Sequence, residues 1–131
     1  ILHALIDSLA QEIEELTQRA SKNKMDQKEI LTQFSEILVR NLDAVRLVPM
    51  LMPGAPEEIQ DLLMNQIKGL LKLLTPGLPS KEKMMRAMLA IVGVINSIAP
   101  PPMPKSLPSV KPDIELTVKI ALDTLGVKVK P

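Results

Sequence analysis

Apolar residues recur at helical spacing through most of the chain and predict five main helices. In the first, leucine and isoleucine return every three or four residues on one face, and acidic residues lie opposite. The second, third and last predicted helices show the same amphipathic pattern between proline- and glycine-rich breaks. Their apolar stripes fall, in chain order, at residues 2–16, 30–45, 59–74 and 114–125.

The fourth predicted helix differs from the others because it is apolar nearly all round from residue 84 to 98. Ser80 has the right chemistry to cap its start. A helix with this pattern is buried on most sides, either in a core or in an interface. It leads into residues 100–112, which hold six prolines and predict an extended connection.

The sequence also predicts where the other helices begin and end. Asp26 is expected to cap the second helix, and Gly126 is expected to end the last one. Prolines and a glycine between positions 49 and 54 predict that the second helix stops after Arg46. Short extra turns are compatible with residues 47–55 and 75–80.

Length and composition favour one all-α domain spanning residues 1–131, an antiparallel bundle of about five main helices. The core is aliphatic, since Phe34 is the single aromatic residue and eight methionines accompany it. The formal charge is +1, and both signs are mixed along the chain. No basic stripe suits a phosphate backbone, so this chain alone is not expected to bind DNA.

Residues that carry catalysis are missing from the sequence, which predicts a protein that is not an enzyme. There is no cysteine, and the one histidine, His3, does not follow a glutamate at the spacing of di-metal bundles. No phosphate-binding loop or nucleophile motif occurs, so neither a metal nor a cofactor is expected. The longest uncharged apolar stretch, residues 87–99, is shorter than the ~20 residues of a membrane-spanning helix.

Three amides interrupt otherwise apolar helix faces and allow two interpretations. Asn41, Gln66 and Asn96 could lie at the edge of a face, bonded to water or backbone. Alternatively, they orient a ligand inside an apolar pocket between the first four helices. The residues predicted to line that pocket are Phe34, Leu38, Asn41, Leu62, Gln66, Met88 and Asn96.

The apolar fourth helix and the last helix together predict a homodimer. Two such helices would pack against their symmetry mates and form a four-helix isologous interface. The residues predicted for this interface are Met85, Leu89, Val92, Ile114, Val118 and Leu122.

Three segments resemble the C-terminal ligand-binding and dimerisation domain of tetracycline-repressor (TetR) family transcription regulators. Residues 1–7, Ile-Leu-His-Ala-Leu-Ile-Asp, look like the start of the long helix that follows that family's DNA-binding unit. Residues 87–93 are similar to the small, aliphatic segment of its penultimate helix. Residues 114–126 resemble the helix that often closes such chains.

The resemblance implies a cytoplasmic, dimeric repressor domain that senses a small apolar effector bound between its helices. Binding would tilt the first helix, and DNA would be contacted only through an N-terminal helix-turn-helix domain upstream of Ile1. Two alternatives have no link to DNA: a stand-alone helical protein-interaction bundle, and a lipid-binding bundle suggested by the leucines and lysines of residues 62–74.

Overall fold

A computed structural model describes residues 2–51, 57–77, 79–100 and 111–127, and these residues form an all-α bundle. This confirms the predicted fold class. The described ranges contain six helices and no strand. The helices are α1 (Leu2–Asn23), α2 (Gln27–Arg40), α3 (Leu42–Leu51), α4 (Glu57–Leu74), α5 (Lys81–Ile98) and α6 (Ile114–Leu125).

The extra helix, α3, corrects the prediction that the second helix runs to Arg46. The break lies earlier, at Asn41, whose backbone N–H donates to the Ile37 carbonyl and ends α2. The Asn41 carbonyl then accepts from the Val45 N–H, and this bond starts α3. Pro49 lies inside α3. The rest of the turn predicted at residues 47–55 falls at 52–55, outside the described residues.

Side-chain caps fix the starts of three helices. Asp26, Ser80 and Asp113 each accept a hydrogen bond from the backbone N–H of the third residue of the helix that follows. Gly126 ends α6 with a left-handed φ of 82°, a conformation that glycine adopts without steric strain. The caps predicted at Asp26, Ser80 and Gly126 are therefore confirmed. The extended connection predicted for residues 100–112 lies mostly outside the described residues.

All six helices contribute to the main core, and Phe34 is packed inside it with 2% of its surface exposed. Its other largest buried side chains are aliphatic. They are Leu16, Ile30, Leu31, Ile37, Leu70, Ile91, Val94 and Ile98.

Neighbouring helices in this bundle run in both relative directions. α1 and α2 are antiparallel, because Arg19 bonds to Gln33 near one end and Glu12 bonds to Arg40 near the other. α5 and α6 are also antiparallel. Ser97 near the end of α5 bonds to Thr117 near the start of α6, and Arg86 near the start of α5 bonds to the Thr124 carbonyl near the end of α6.

α1 and α4 instead lie side by side in the same direction. Near their starts, Ile6 and Ala10 of α1 form a small separate core with Ile59 and Leu63 of α4. Further along, α1 lies so close to α4 that a Cβ built on Gly69 would be 3.2 Å from the Thr17 methyl carbon. The glycine therefore allows the two helix backbones to approach closely.

Candidate functional site

The outward surface of α5 and α6 is the main exposed apolar region of the described residues. Ten large hydrophobic side chains are exposed in that part of the chain, and seven of them lie on these two helices. We call this surface the apolar face. Its side chains are Met84, Met85, Met88, Leu89, Val92, Leu116 and Ile120.

The apolar face exists because α5 has more apolar positions than the core can cover. One side of α5 packs inward through Ala87, Ala90, Ile91, Val94 and Ile98, all buried. Ile95 is half-buried against the same core. The other large apolar side chains of α5 are exposed. The all-round apolarity of residues 84–98 thus has two parts, a core side and an exposed side.

The α5 part of the apolar face is uncharged beyond Arg86, whereas the exposed Lys119 and Asp123 flank Leu116 and Ile120 on α6. α5 has no charged residue between Arg86 and its end at Ile98. Arg86 pairs with Glu82 at 3.6 Å and approaches the Thr124 carbonyl oxygen at 3.4 Å. Depletion of charge, as on this stretch of α5, is typical of the core of a protein–protein interface.

The interface residues predicted from the sequence divide into two groups. Met85, Leu89 and Val92 lie on the apolar face, with 57%, 59% and 47% of their surface exposed. Val118 and Leu122 are instead 3% exposed and belong to the chain's own core. This corrects their placement, because the buried side of α6 carries them.

The remaining predicted interface residue, Ile114, is half-buried against the core. The outer positions of α6 belong to Leu116 and Ile120, which the sequence analysis did not place in the interface. Their exposure, 48% and 56%, follows from helical phase: each lies two positions from a buried residue, Val118, on the side away from the core.

A small hollow opens on the apolar face between α5 and α6. It encloses about 90 Å³, with Leu89 and Gly93 on one side and Ile120 and Thr124 on the other. Ser97 and Thr117 also line it, and their hydroxyl oxygens bond to each other at 2.8 Å. Small residues form its floor, so the two helices leave a recess there.

The structure does not gather the seven predicted ligand-binding residues around one described cavity. Phe34 and Leu38 are each 2% exposed and are packed within the main core. Met88 is instead 45% exposed on the apolar face. Asn96 is exposed on the same helix. The half-buried Leu62 packs on the small α1/α4 core, and Gln66 is half-buried on α4.

Asn41 has a structural role that accounts for its position on an apolar stripe. Its side-chain amide donates to a Glu12 carboxylate oxygen and to the Ile37 carbonyl oxygen. Arg40 donates to the same carboxylate, at 3.2 Å. Asn41 is therefore an edge amide with bonded partners, which is the first of its two interpretations.

A wider groove, absent from the predictions, lies between α2 and α6. It has a volume of about 830 Å³, and its α2 wall carries Lys28, Thr32 and Glu36. On α6 the groove is lined by apolar and charged side chains in alternation. They are Asp113, Ile114, Glu115, Leu116, Val118, Lys119 and Leu122.

The described residues show no group of three or more histidine, aspartate or glutamate side chains placed to hold a metal ion. Within the same ranges, none of the helices has the length and apolarity needed to cross a membrane. The surfaces on α5 and α6 therefore remain the best-defined candidates for function.

No protein-family model, curated protein or solved structure matches this chain.

Proposed function

We propose that this chain is a dimerisation domain in which two copies pair through the apolar face. The observation that carries this proposal is the concentration of seven exposed large hydrophobic side chains on α5 and α6. Exposed apolar patches of more than a few hundred Å² are unusual on monomeric proteins and mark interaction sites. Burial of these side chains between two copies would remove them from water, which favours association.

The lack of charge along most of α5 suits a two-fold dimer, in which the same patch of both copies comes together. In an isologous interface the same patch is used on both copies, so a charged residue near the two-fold axis would face the identical charge of the other copy and be repelled. The charge-free stretch of α5 after Arg86 avoids that repulsion. Two copies of α5 and α6 would form a four-helix interface with charged residues at its rim.

We further propose that the dimer is the effector-sensing part of a TetR-like transcriptional repressor. Support comes from the resemblance of residues 1–7, 87–93 and 114–126, and from the apolar face, which lies on the two helices that contain the second and third of these segments. DNA would be contacted through an upstream helix-turn-helix domain. The chain itself carries 16 basic and 15 acidic residues, too balanced for strong phosphate binding.

The α2/α6 groove favours binding of a small apolar effector as part of that function. Its volume, about 830 Å³, falls within the ~300–1,000 Å³ typical of ligand sites. Val118 and Leu122 supply an apolar floor, and Lys28 and Glu36 supply polar edges. Since α2 packs against α1 in the main core, a ligand that shifts α2 would also bias the position of α1.

Analytical ultracentrifugation tests the dimer. The wild-type chain should sediment as a dimer at micromolar concentration, and Leu89→Glu should sediment as a folded monomer because it places a charge in the apolar face. Met64→Glu is the matched control, since Met64 is 46% exposed on α4, outside this face, and it should leave the dimer intact. A monomeric wild type would contradict the proposal.

Thermal denaturation with a panel of small apolar compounds tests the effector site, since a ligand that binds the native state raises Tm. Thr32→Trp should abolish the rise by filling the groove from its α2 wall. Ser21→Trp, at an exposed position of α1 outside the groove lining, is the control. A rise that survives Thr32→Trp would place the ligand elsewhere.

The encoded sequence upstream of Ile1 separates the repressor from the stand-alone alternatives. A helix-turn-helix pattern there, with salt-sensitive binding of the longer protein to a palindromic duplex, would support the repressor. A dimer whose longer protein has no such unit would instead favour a protein-interaction bundle. Co-sedimentation of the chain with lipid vesicles would favour the lipid-binding alternative.

A further inference from the structure

We propose that the hollow over Gly93 receives an apolar side chain from α5 of a second copy, and that Gly93 thereby sets how closely the two copies pack. This inference rests on the proposed dimer and specifies its contact. The side chain that fills the hollow between α5 and α6 would come from a second copy of this chain.

Gly93 has no function within its own chain that another residue could not fulfil. It lies in the interior of α5, where glycine is less favourable than alanine because its backbone loses more freedom on folding. A Cβ built on Gly93 would meet no heavy atom within 4 Å. The packing of this chain alone would accept a side chain there, so the open space is available to a partner.

The hollow has the size and shape to accept the end of one side chain. Its four corners are Leu89 and Gly93 on α5 and Ile120 and Thr124 on α6, around a volume of about 90 Å³. In coiled coils a side chain of one helix inserts into a gap between four residues of the facing helix, and here the gap is shared between two helices. The missing side chain of Gly93 deepens this gap.

The polar atoms at the hollow are already bonded, which favours an apolar occupant. The Ser97 and Thr117 hydroxyls bond to each other at 2.8 Å. The Thr124 hydroxyl donates to the Ile120 carbonyl oxygen at 2.9 Å. Each of these hydroxyls therefore has a bonded partner before an apolar side chain enters, which lowers the penalty for covering them.

A second copy is the partner that fits, because the apolar face carries both the recess and protruding side chains. Met85, Leu89 and Val92 stand exposed on the helix that contains Gly93. A two-fold rotation turns these side chains of one copy toward the hollow of the other. With 37% to 59% of each exposed, the seven side chains supply on the order of several hundred Å² of apolar area, against the ~800 Å² that each partner buries in a standard interface.

Sedimentation equilibrium on Gly93→Leu and Asn96→Leu tests this inference. Both variants add the same apolar side chain to exposed positions of α5, but Asn96 does not line the hollow. We expect Gly93→Leu to raise the dimer Kd at least tenfold, because it occupies the space of the partner's side chain. Asn96→Leu should change Kd less than threefold or lower it. Gly93→Ala, with one added methyl group, should give an intermediate increase.

The outcomes separate this inference from the proposed dimer. A monomeric wild type would refute the dimer and the inference together. A wild-type dimer that Leu89→Glu dissociates, with Gly93→Leu as tight as wild type or tighter, would refute the inference alone. Equal weakening by both leucine variants would also refute it, because bulk anywhere on α5 would then be harmful. Circular dichroism confirms that each variant retains its helices, and Gly93→Ala gives the decision if Gly93→Leu does not fold.

Discussion

Two helices of this chain carry a glycine in an apolar surface, and their surroundings differ. At Gly69 of α4, α1 lies so close that an added Cβ would be 3.2 Å from the Thr17 methyl. At Gly93 of α5, an added Cβ would meet nothing within 4 Å. The first glycine is explained by the folding of the chain on itself, and the second is not.

The same difference extends to the residues around each glycine. Near Gly69, Leu70 and Leu74 of α4 are 1% and 2% exposed in the main core. Near Gly93, Leu89 of α5 is 59% exposed. The buried leucines near Gly69 are accounted for by stability, whereas the exposed apolar residues near Gly93 are those that the proposed dimer would bury.

The largest expected difference between the two regions is in the free energy of unfolding when one leucine in each is truncated to alanine. Leu70→Ala should lower the free energy of unfolding by about 2–5 kcal/mol, because it opens a cavity in the core. Leu89→Ala should change it by no more than about 0.5 kcal/mol in the monomer, since the site is already solvated. Urea denaturation followed by circular dichroism measures both.

Protein concentration provides the control for this comparison. Below the dimer Kd, the two variants should differ as stated. Above it, Leu89→Ala should also lower the apparent stability, because dimerisation contributes to the wild type under those conditions. A loss for Leu89→Ala that equals that of Leu70→Ala at every concentration would show that Leu89 is buried within the monomer.

Alanine at the two glycines should give smaller effects of opposite sign. Gly69→Ala should destabilise the chain by about 1 kcal/mol, because overpacking against α1 exceeds the gain in helix propensity. Gly93→Ala should stabilise the monomer by about 1 kcal/mol, because only the propensity gain applies. The second variant is measured on the Leu89→Glu background, which keeps the chain monomeric.

Thr17→Ser identifies the cause of the effect at Gly69. Serine keeps the hydroxyl, which donates to the carbonyl oxygens of Ile13 and Glu14 at 2.8 Å, and removes the methyl group that an added Cβ would approach. Gly69→Ala should therefore be harmless in the Thr17→Ser background. If the double variant remains as unstable as Gly69→Ala, the contact with α1 is not the reason.

The smallest effect is expected at the polar contact between α1 and α2. Arg40 and Glu12 form an ion pair at 3.2 Å, with 56% and 30% of their side chains exposed. A double-mutant cycle with Arg40→Ala and Glu12→Ala should give a coupling energy below about 1 kcal/mol, since water screens the pair. The coupling should fall further in 1 M salt. A coupling of several kcal/mol would make this contact a main determinant of the α1/α2 geometry.

The sequence was sufficient for the amphipathic helices and their caps, because those depend on local spacing. It was misleading at Asn41, where the apolar stripe continues across a helix break. Ile37 and Leu38 before the break and Ala44 and Val45 after it all reach the same core. The apolar periodicity therefore continues past the end of the helix, and the prolines further on are the stronger stop signal in the sequence.

The candidate site was harder to predict, because it depends on distances between helices. The pattern of α5 showed that most of its sides are apolar but could not divide them between core and exterior. On α6 both sides carry apolar residues, and only the packing shows which side is buried: Val118 and Leu122 face inward, and Leu116 and Ile120 face outward. The amides on apolar stripes did not indicate whether they share a pocket, because an amide such as Asn41 can instead hydrogen-bond to a neighbouring helix.

The parallel packing of α1 on α4 has a consequence for the order of folding. Ile6 and Ile59 are 53 positions apart in the sequence, and their small core is separate from the main one. Closing so long a loop is entropically slower than forming the α1/α2 or α5/α6 hairpins. We expect the start of α1 to dock last and to detach first, so that in pulsed hydrogen exchange its amides gain protection after those of α2 and α5.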